Sequence, residues 1–236
     1  MKLEFTEKMI AIQNKTVDKI ATFFETEAIE CHVFGSMAQG TNDSLSDIDI
    51  WITFTDEKIQ KAIEERMDSY AKFGEIVLLH EMQNNFPLDG IQTAIIYKIE
   101  GELIRVDFYL CPLSSSRILP DSKILFEKQK IEVGSIISET KRTPRNLLDR
   151  ITFFICMCFN GIKKVARGDN AFMVFLTNEF QKYEKEIPEL TTIPQEPTFA
   201  MLRKSLSVLN TVSNQEQKAA ISEISEFLMK VEMFLK

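Results

Sequence analysis

At 236 residues, 44% apolar and 27% charged, the chain is long enough for one large or two small cores and has the ordinary composition of a globular protein. Its net charge of −7 argues against a general nucleic-acid binder, which presents a basic face. The longest apolar stretch, residues 151–159 (ITFFICMCF), is too short to span a bilayer.

The acidity is uneven: residues 1–144 carry a net −8 and residues 145–236 a net +1. That fits a metal site in the first part and a phosphate or substrate surface in the second, or it reports surface composition alone. Cys31, Cys111, Cys156 and Cys158 follow no zinc spacing, and only His32 and His80 could assist them. Buried free thiols are expected. The opening MKLEFTEKM has no apolar signal segment, so a cytoplasmic location is expected.

Residues 4–29 read as an amphipathic helix, with Met9, Ile12, Val17, Ile20, Phe23 and Phe24 near helical spacing. Residues 31–34 read as a short buried strand running into Gly35-Ser36, with a short helix starting at Ser36. Residues 47–54 read as a strand, and 56–71 carry a charged helical pattern. Three strand-like runs follow at 75–82, 91–99 and 103–110, with Glu100-Gly101 as a hairpin turn between the last two. Prolines and serines make 111–144 a connecting region. From Arg145 the pattern becomes helical, over 145–167, 170–187, 198–211 and 214–235. The fold expected is α+β: an N-terminal domain over 1–144 with a mixed sheet and flanking helices, then an α-helical bundle over 145–236.

The informative stretch is residues 35–49, GSMAQGTNDSLSDID. Alternation along a strand puts Ile48, Ile50 and Ile52 on one face and Asp47, Asp49 and Trp51 on the other. Two neighbouring carboxylates repel, and a hard cation such as Mg²⁺ relieves them when substrate phosphates complete its shell. Asp107, inside the apolar strand 103–110, is the candidate third carboxylate. It would share a face with Arg105 and Tyr109, and its alternative is a salt bridge across strands, to Arg105 or another cation. Trp51 either stacks on a base or packs in the core. His80 reads as structural.

Together these residues resemble the nucleotidyltransferase superfamily typified by DNA polymerase beta, whose motif is Gly-Ser, about ten residues, Asp-x-Asp or Asp-x-Glu, and a distal carboxylate. Within it, the layout resembles the small antibiotic nucleotidyltransferases, above all the lincosamide enzymes with a C-terminal helical domain. Lys163, Lys164, Arg167-Gly168-Asp169 and Ala171 look like the Lys-x-x-x-Arg-Gly-acid element of that helical domain. One departure is Gln39, where the family often has an arginine; it removes a phosphate contact but not the carboxylates.

The resemblance implies Mg²⁺-dependent attack of an acceptor hydroxyl on the α-phosphorus of a nucleoside triphosphate. AMP from ATP is the expected donor, with two ions, and a lincosamide or aminoglycoside-type antibiotic is the expected acceptor, making the chain a resistance enzyme. Asp47, Asp49 and Asp107 would be the catalytic metal ligands, with Asp107 also helping to remove the hydroxyl proton. Gly35, Ser36, Ser46, Lys163 and Arg167 would bind the nucleotide. Lys163 and Arg167 alternatively form a solvated basic helix end, favourable to the helix dipole, with Gly168 as the C-cap. Glu179 is a candidate acceptor contact or a surface residue. No nucleic acid or membrane is expected as partner. The resemblance also suggests a homodimer through the bundle, using an excess among Phe153, Phe154, Phe159, Phe172 and Phe175. Two rivals stand beside this reading: an antitoxin-type enzyme that adds a nucleotide to a protein hydroxyl, and a nucleotide-binding module without turnover.

Overall fold

The computed structural model describes residues 2–82, 86–139 and 146–235. The chain divides into two compact units, Met1–Pro144 and Arg145–Lys236. Residues 140–145, where the sequence put the boundary, lie outside the described residues. Among the described residues no helix is long and apolar enough to cross a membrane.

The first unit opens with α1 (Lys2–Phe24) and β1 (Glu30–Phe34), then α2 (Ser36–Gln39) and β2 (Ile48–Phe54). Two short helices, α3 (Ile59–Glu64) and α4 (Arg66–Tyr70), lead to β3 (Glu75–Glu81) and β4 (Phe86–Pro87). β5 (Ile91–Ile99), β6 (Glu102–Pro112), a 3₁₀ turn (Leu113–Ser115), β7 (Lys123–Glu127) and β8 (Ser138–Glu139) complete it. Six strands form one sheet in the order β3-β5-β6-β2-β1-β7, and β4 pairs with β8 in a two-stranded ribbon. All pairs of the larger sheet are antiparallel except β2 with β6.

The stripe along α1 is regular: Phe5, Met9, Ile12, Val17, Ile20 and Phe24 are buried at helical spacing. It lies on the sheet face formed by Ile50, Ile52, Phe54 and Phe108. Phe24 meets Phe54 with ring centroids 6.0 Å apart, and Tyr70 stacks on Phe108 at 4.4 Å. Both turn residues of the β5–β6 hairpin have positive φ, Glu100 at 52° and Gly101 at 81°, as a two-residue turn between right-twisted strands requires.

Several expectations needed correction, the first being that the opening helix ends at Phe24 rather than at 29. The helix expected over 56–71 is two helices broken at Glu65. At the break Arg66 donates from Nε to Glu81 of β3 at 2.9 Å, and Tyr70 turns onto Phe108. The connecting region 111–144 contains β7, which adds to the free side of β1 as an edge strand. Its charged ends, Lys123 and Glu127, suit an edge exposed to water.

The second unit is four helices: α5 (Leu147–Ala166), α6 (Asn170–Gln181), α7 (Phe199–Val212) and α8 (Gln215–Leu235), with a 3₁₀ turn at Pro188–Thr192. The helical run expected to 187 ends at Gln181. α5 is largely apolar and packs against the other three helices. Phe154 meets Phe180 at 4.9 Å and Phe159 meets Phe227 at 5.1 Å, so these rings serve the bundle's own core. Phe153 is buried as well, while Phe175 is exposed. α5 starts on Asn146, whose side chain accepts from the Asp149 N–H, and α7 on Thr198, which accepts from Met201. Asn214 and Gln217 cap α8 reciprocally, each side chain accepting from the other's backbone N–H.

Candidate active site

Parallel pairing of β2 with β6 sets the site. The register matches Asp49 to Asp107, Ile50 to Phe108 and Trp51 to Tyr109. Partnered residues on adjacent strands share a face, so the two carboxylates stand side by side, about 4.8 Å apart at the backbone. Antiparallel pairing of β1 with β2 brings Phe34 opposite Asp49. The next residue, Gly35, therefore turns over that carboxylate. Its φ of 66° and ψ of −148° fall where only glycine is at ease, and a Cβ there would lie 3.2 Å from Asp49 Oδ2. Gly-Ser and Asp-x-Asp are thus adjacent in space because β1 and β2 pair at these residues.

Asp107 is buried, and Arg105 of the same strand grips both its oxygens. Nε meets Oδ1 and Nη2 meets Oδ2, each at 2.7 Å. The salt bridge weighed from the sequence is present, formed two residues along one strand rather than across strands. Asp49 and Asp47 are half-buried. The aromatic floor beside them is continuous. Trp51 and Tyr109 stack at 5.5 Å, His32 and Trp51 at 5.9 Å, and Phe34 meets Tyr109 edge-on at 5.2 Å. Burial, then the charges of Asp107 and Asp49, push the Tyr109 phenol well above its usual range.

Trp51 belongs to the core. It is fully buried, and its indole N–H donates to Ser116 Oγ at 3.0 Å. Ser116 also bonds Thr53 at 2.7 Å, Thr53 donates to Glu30 at 2.9 Å, and Glu30 meets His32 Nδ1 at 2.7 Å. This buried polar chain lies on the same sheet face as the carboxylates, and nothing in the local sequence pattern announced it.

The loop from Gly40 to Asp47 is tied internally and from α1. Asp43 Oδ1 accepts from the Leu45 N–H at 2.9 Å and the Ser46 hydroxyl at 3.0 Å. Ser46 Oγ also accepts from the Asp43 N–H at 3.0 Å, so this hydroxyl serves the turn. Gln13, fully buried, donates from Nε2 to the carbonyls of Asp43 at 3.0 Å and Ser46 at 3.1 Å. Its Oε1 accepts from Asn42 at 3.0 Å. Sequence reasoning passed over Gln13. The signal was there: one amide inside the apolar stripe of α1.

Lys163 and Arg167 belong to the second unit. Lys163 is buried with Nζ 4.9 Å from the Phe159 ring centroid, so it is not a solvated helix end; Arg167, the C-cap of α5, is exposed. The helix ends at Ala166, one residue before the end expected, and the C-cap is Arg167 rather than Gly168, which follows it with φ 72°. Gly168 N–H donates to Val165 at 3.1 Å and Asp169 N–H to Lys164 at 2.9 Å, the paired bonds of a Schellman cap. Asp169 meets Lys164 at 2.9 Å, and that bond holds its carboxyl below the usual range. Glu179 pairs with Lys182, the C-cap residue of its own helix. His80 is buried on β3 opposite Ala94.

Among the described residues no three His, Cys, Asp or Glu side chains converge as a ready-made metal cage. All four cysteines are buried and none is in a disulfide. Burial pushes the Cys111 thiol up to about 12 and raises Cys31 and Cys158 as well.

Residues 18–105 match the family model described as Polymerase beta, Nucleotidyltransferase. The matched stretch includes Gly35, Ser36, Asp47 and Asp49 and stops two residues short of Asp107. None of the curated proteins matches the chain.

Proposed function

We infer that a chain whose residues 18–105 form a polymerase beta-type nucleotidyltransferase domain transfers a nucleoside monophosphate to a small hydroxyl acceptor. The donor proposed is ATP and the group moved is AMP. The acceptor class proposed is a lincosamide or aminoglycoside-type antibiotic, in a cytoplasmic setting. The observation that carries the reading is the side-by-side placement of Asp49 and Asp107, with Gly35 turned over the Asp49 carboxylate.

The donor set fits Mg²⁺ that arrives with a nucleotide. Mg²⁺ is typically held by one or two carboxylates plus substrate phosphates rather than by an all-protein cage. Asp47 and Asp49 would hold it on the triphosphate side, and Asp107 on the acceptor side. A carboxylate has about four lone-pair sites, and the Arg105 fork uses two of those on Asp107. The two bound ions would neutralise charge on the attacking and leaving oxygens.

The chain's own residues would supply the rest. A new bond forms between the acceptor oxygen and the α-phosphorus, the α–β phosphoanhydride bond breaks, and pyrophosphate leaves. The hydroxyl proton passes toward Asp107. Gly35 admits the phosphates close to the backbone, and Ser36 would donate from its N–H and hydroxyl. Ser46 is retained as a nucleotide-side residue through the turn it closes before Asp47. Lys163 and Arg167 are proposed to neutralise the triphosphate, on the strength of the Lys-x-x-x-Arg-Gly-Asp element. A homodimer through the bundle is proposed too, supported by exposed Phe175 and Val174 on α6.

The rival without turnover draws on the Arg105 grip on both oxygens of Asp107. One experiment separates the readings: pyrophosphate release from ATP, GTP, CTP and UTP with Mg²⁺ and an antibiotic panel, with Asp49→Asn as the blank. Acceptor-dependent release lost in the variant supports transfer to a small molecule. Mg²⁺-dependent nucleotide binding with no release supports the binding module, and label appearing on a polypeptide supports a protein acceptor.

A further inference from the structure

We propose that Gln13 is the positioning residue of this site, holding the loop before β2 so that Asp47 and Asp49 meet the metal–nucleotide in register. The proposal rests on the nucleotidyltransferase reading above and adds to it a residue far from the motif.

Gln13 sits within the buried stripe of α1, between Ile12 and Thr16-Val17, and has no exposed surface. A glutamine buried there costs free energy unless its amide is satisfied. Among the described residues it is satisfied by one partner segment. Both donor contacts go to loop carbonyls, Asp43 at 3.0 Å and Ser46 at 3.1 Å. Its oxygen takes Asn42 Nδ2 at 3.0 Å. The chemistry fixes the orientation of the amide, because the flipped form would set its oxygen against two carbonyl oxygens.

The Ser46 carbonyl belongs to the peptide whose nitrogen is that of Asp47. Holding that oxygen fixes the peptide plane leading into Asp47 and, one residue later, the start of β2 at Ile48. The far side of the same loop begins at Gly40, directly after α2 and the Gly35-Ser36 turn. One side chain of α1 therefore restrains the segment that links the two halves of the motif. An apolar isostere would keep the packing and release the loop.

The test compares wild type, Gln13→Met and Asn42→Ala. Asn42 is half-buried in the loop, so its variant reports the restraint without disturbing the α1 stripe. Two readouts are taken: amide hydrogen exchange over residues 41–47, and the Mg²⁺ concentration at which binding of a non-hydrolysable ATP analogue is half-maximal. The expected result is faster exchange in the loop, unchanged exchange in β5 and β6, and a metal midpoint about tenfold higher, the usual scale for losing an outer partner of a metal ligand. A purely structural role would lower the melting temperature and leave the metal midpoint where it was. An unchanged midpoint, or unchanged loop exchange, in both variants overturns the proposal while the nucleotidyltransferase reading stands. Absence of any Mg²⁺-dependent nucleotide binding by wild type overturns the reading on which it rests.

Discussion

Gly35→Ala tests the geometry of the site through a single methyl group. The backbone at Gly35, φ 66° and ψ −148°, lies in a region used almost only by glycine, and a side chain there costs about 1–3 kcal/mol. The new Cβ would also sit 3.2 Å from Asp49 Oδ2, so the carboxylate must yield by a few tenths of an ångström. The strain term corresponds to a melting temperature lower by roughly 3–10 °C for a unit of this size. The displacement of Asp49 should reduce Mg²⁺-dependent pyrophosphate release by about tenfold or more, since a misplacement of about 1 Å can cost 10²-fold. The control is Gly101→Ala. Gly101 also has a positive φ, 81°, but nothing lies within 4 Å of its added Cβ. It should lose stability and keep its turnover per folded molecule. Melting curves and pyrophosphate release, measured side by side, decide the matter. Equal activity in the two variants, or a Gly35→Ala protein as stable as wild type, would refute the claim that Gly35 is there to clear Asp49.

Alkaline pH should destabilise the fold through its buried thiols. Folded-state values are raised for Cys31, Cys111 and Cys158, so above about pH 9 the unfolded chain binds fewer protons than the folded one and stability falls. The contribution is fully present below pH 8. At pH 10 the loss is on the order of 1–2 kcal/mol per thiol, two of them in the first unit and one in the second. Urea midpoints at pH 7.5, 9 and 10 measure it, and a flat profile would contradict the burial argument. Gln217→Ala should cost about 2 kcal/mol, because it removes the Oε1 acceptor of the Asn214 N–H at the start of α8 and also the Nε2 donor to Leu148 and Thr152 of α5, at 2.8 and 2.9 Å. A change below about 0.5 kcal/mol in urea denaturation would show that the return bond and the tie to α5 contribute little.

Much of the site was legible because its signals are local. A strand's two-residue period put Asp49 and Trp51 on one face and Ile48, Ile50 and Ile52 on the other without knowledge of any neighbour. Gly35-Ser36 marked the turn and Gly168 the helix end for the same reason: each depends on backbone angles within a few residues. Tertiary pairing decided the rest. That Asp107 stands beside Asp49 follows from β2 and β6 running parallel in one register, which no pattern within either strand specifies. The same pairing buried Trp51 between His32 and Tyr109, and so assigned it to the core rather than to a base. The strand at Lys123–Glu127 escaped notice because a short charged edge strand gains its definition from the β1 edge it joins. Gln13 was visible only as a polar interruption of an apolar stripe. What it holds depends on a loop that comes near in space, and sequence spacing fixes directions along one element but not which elements meet.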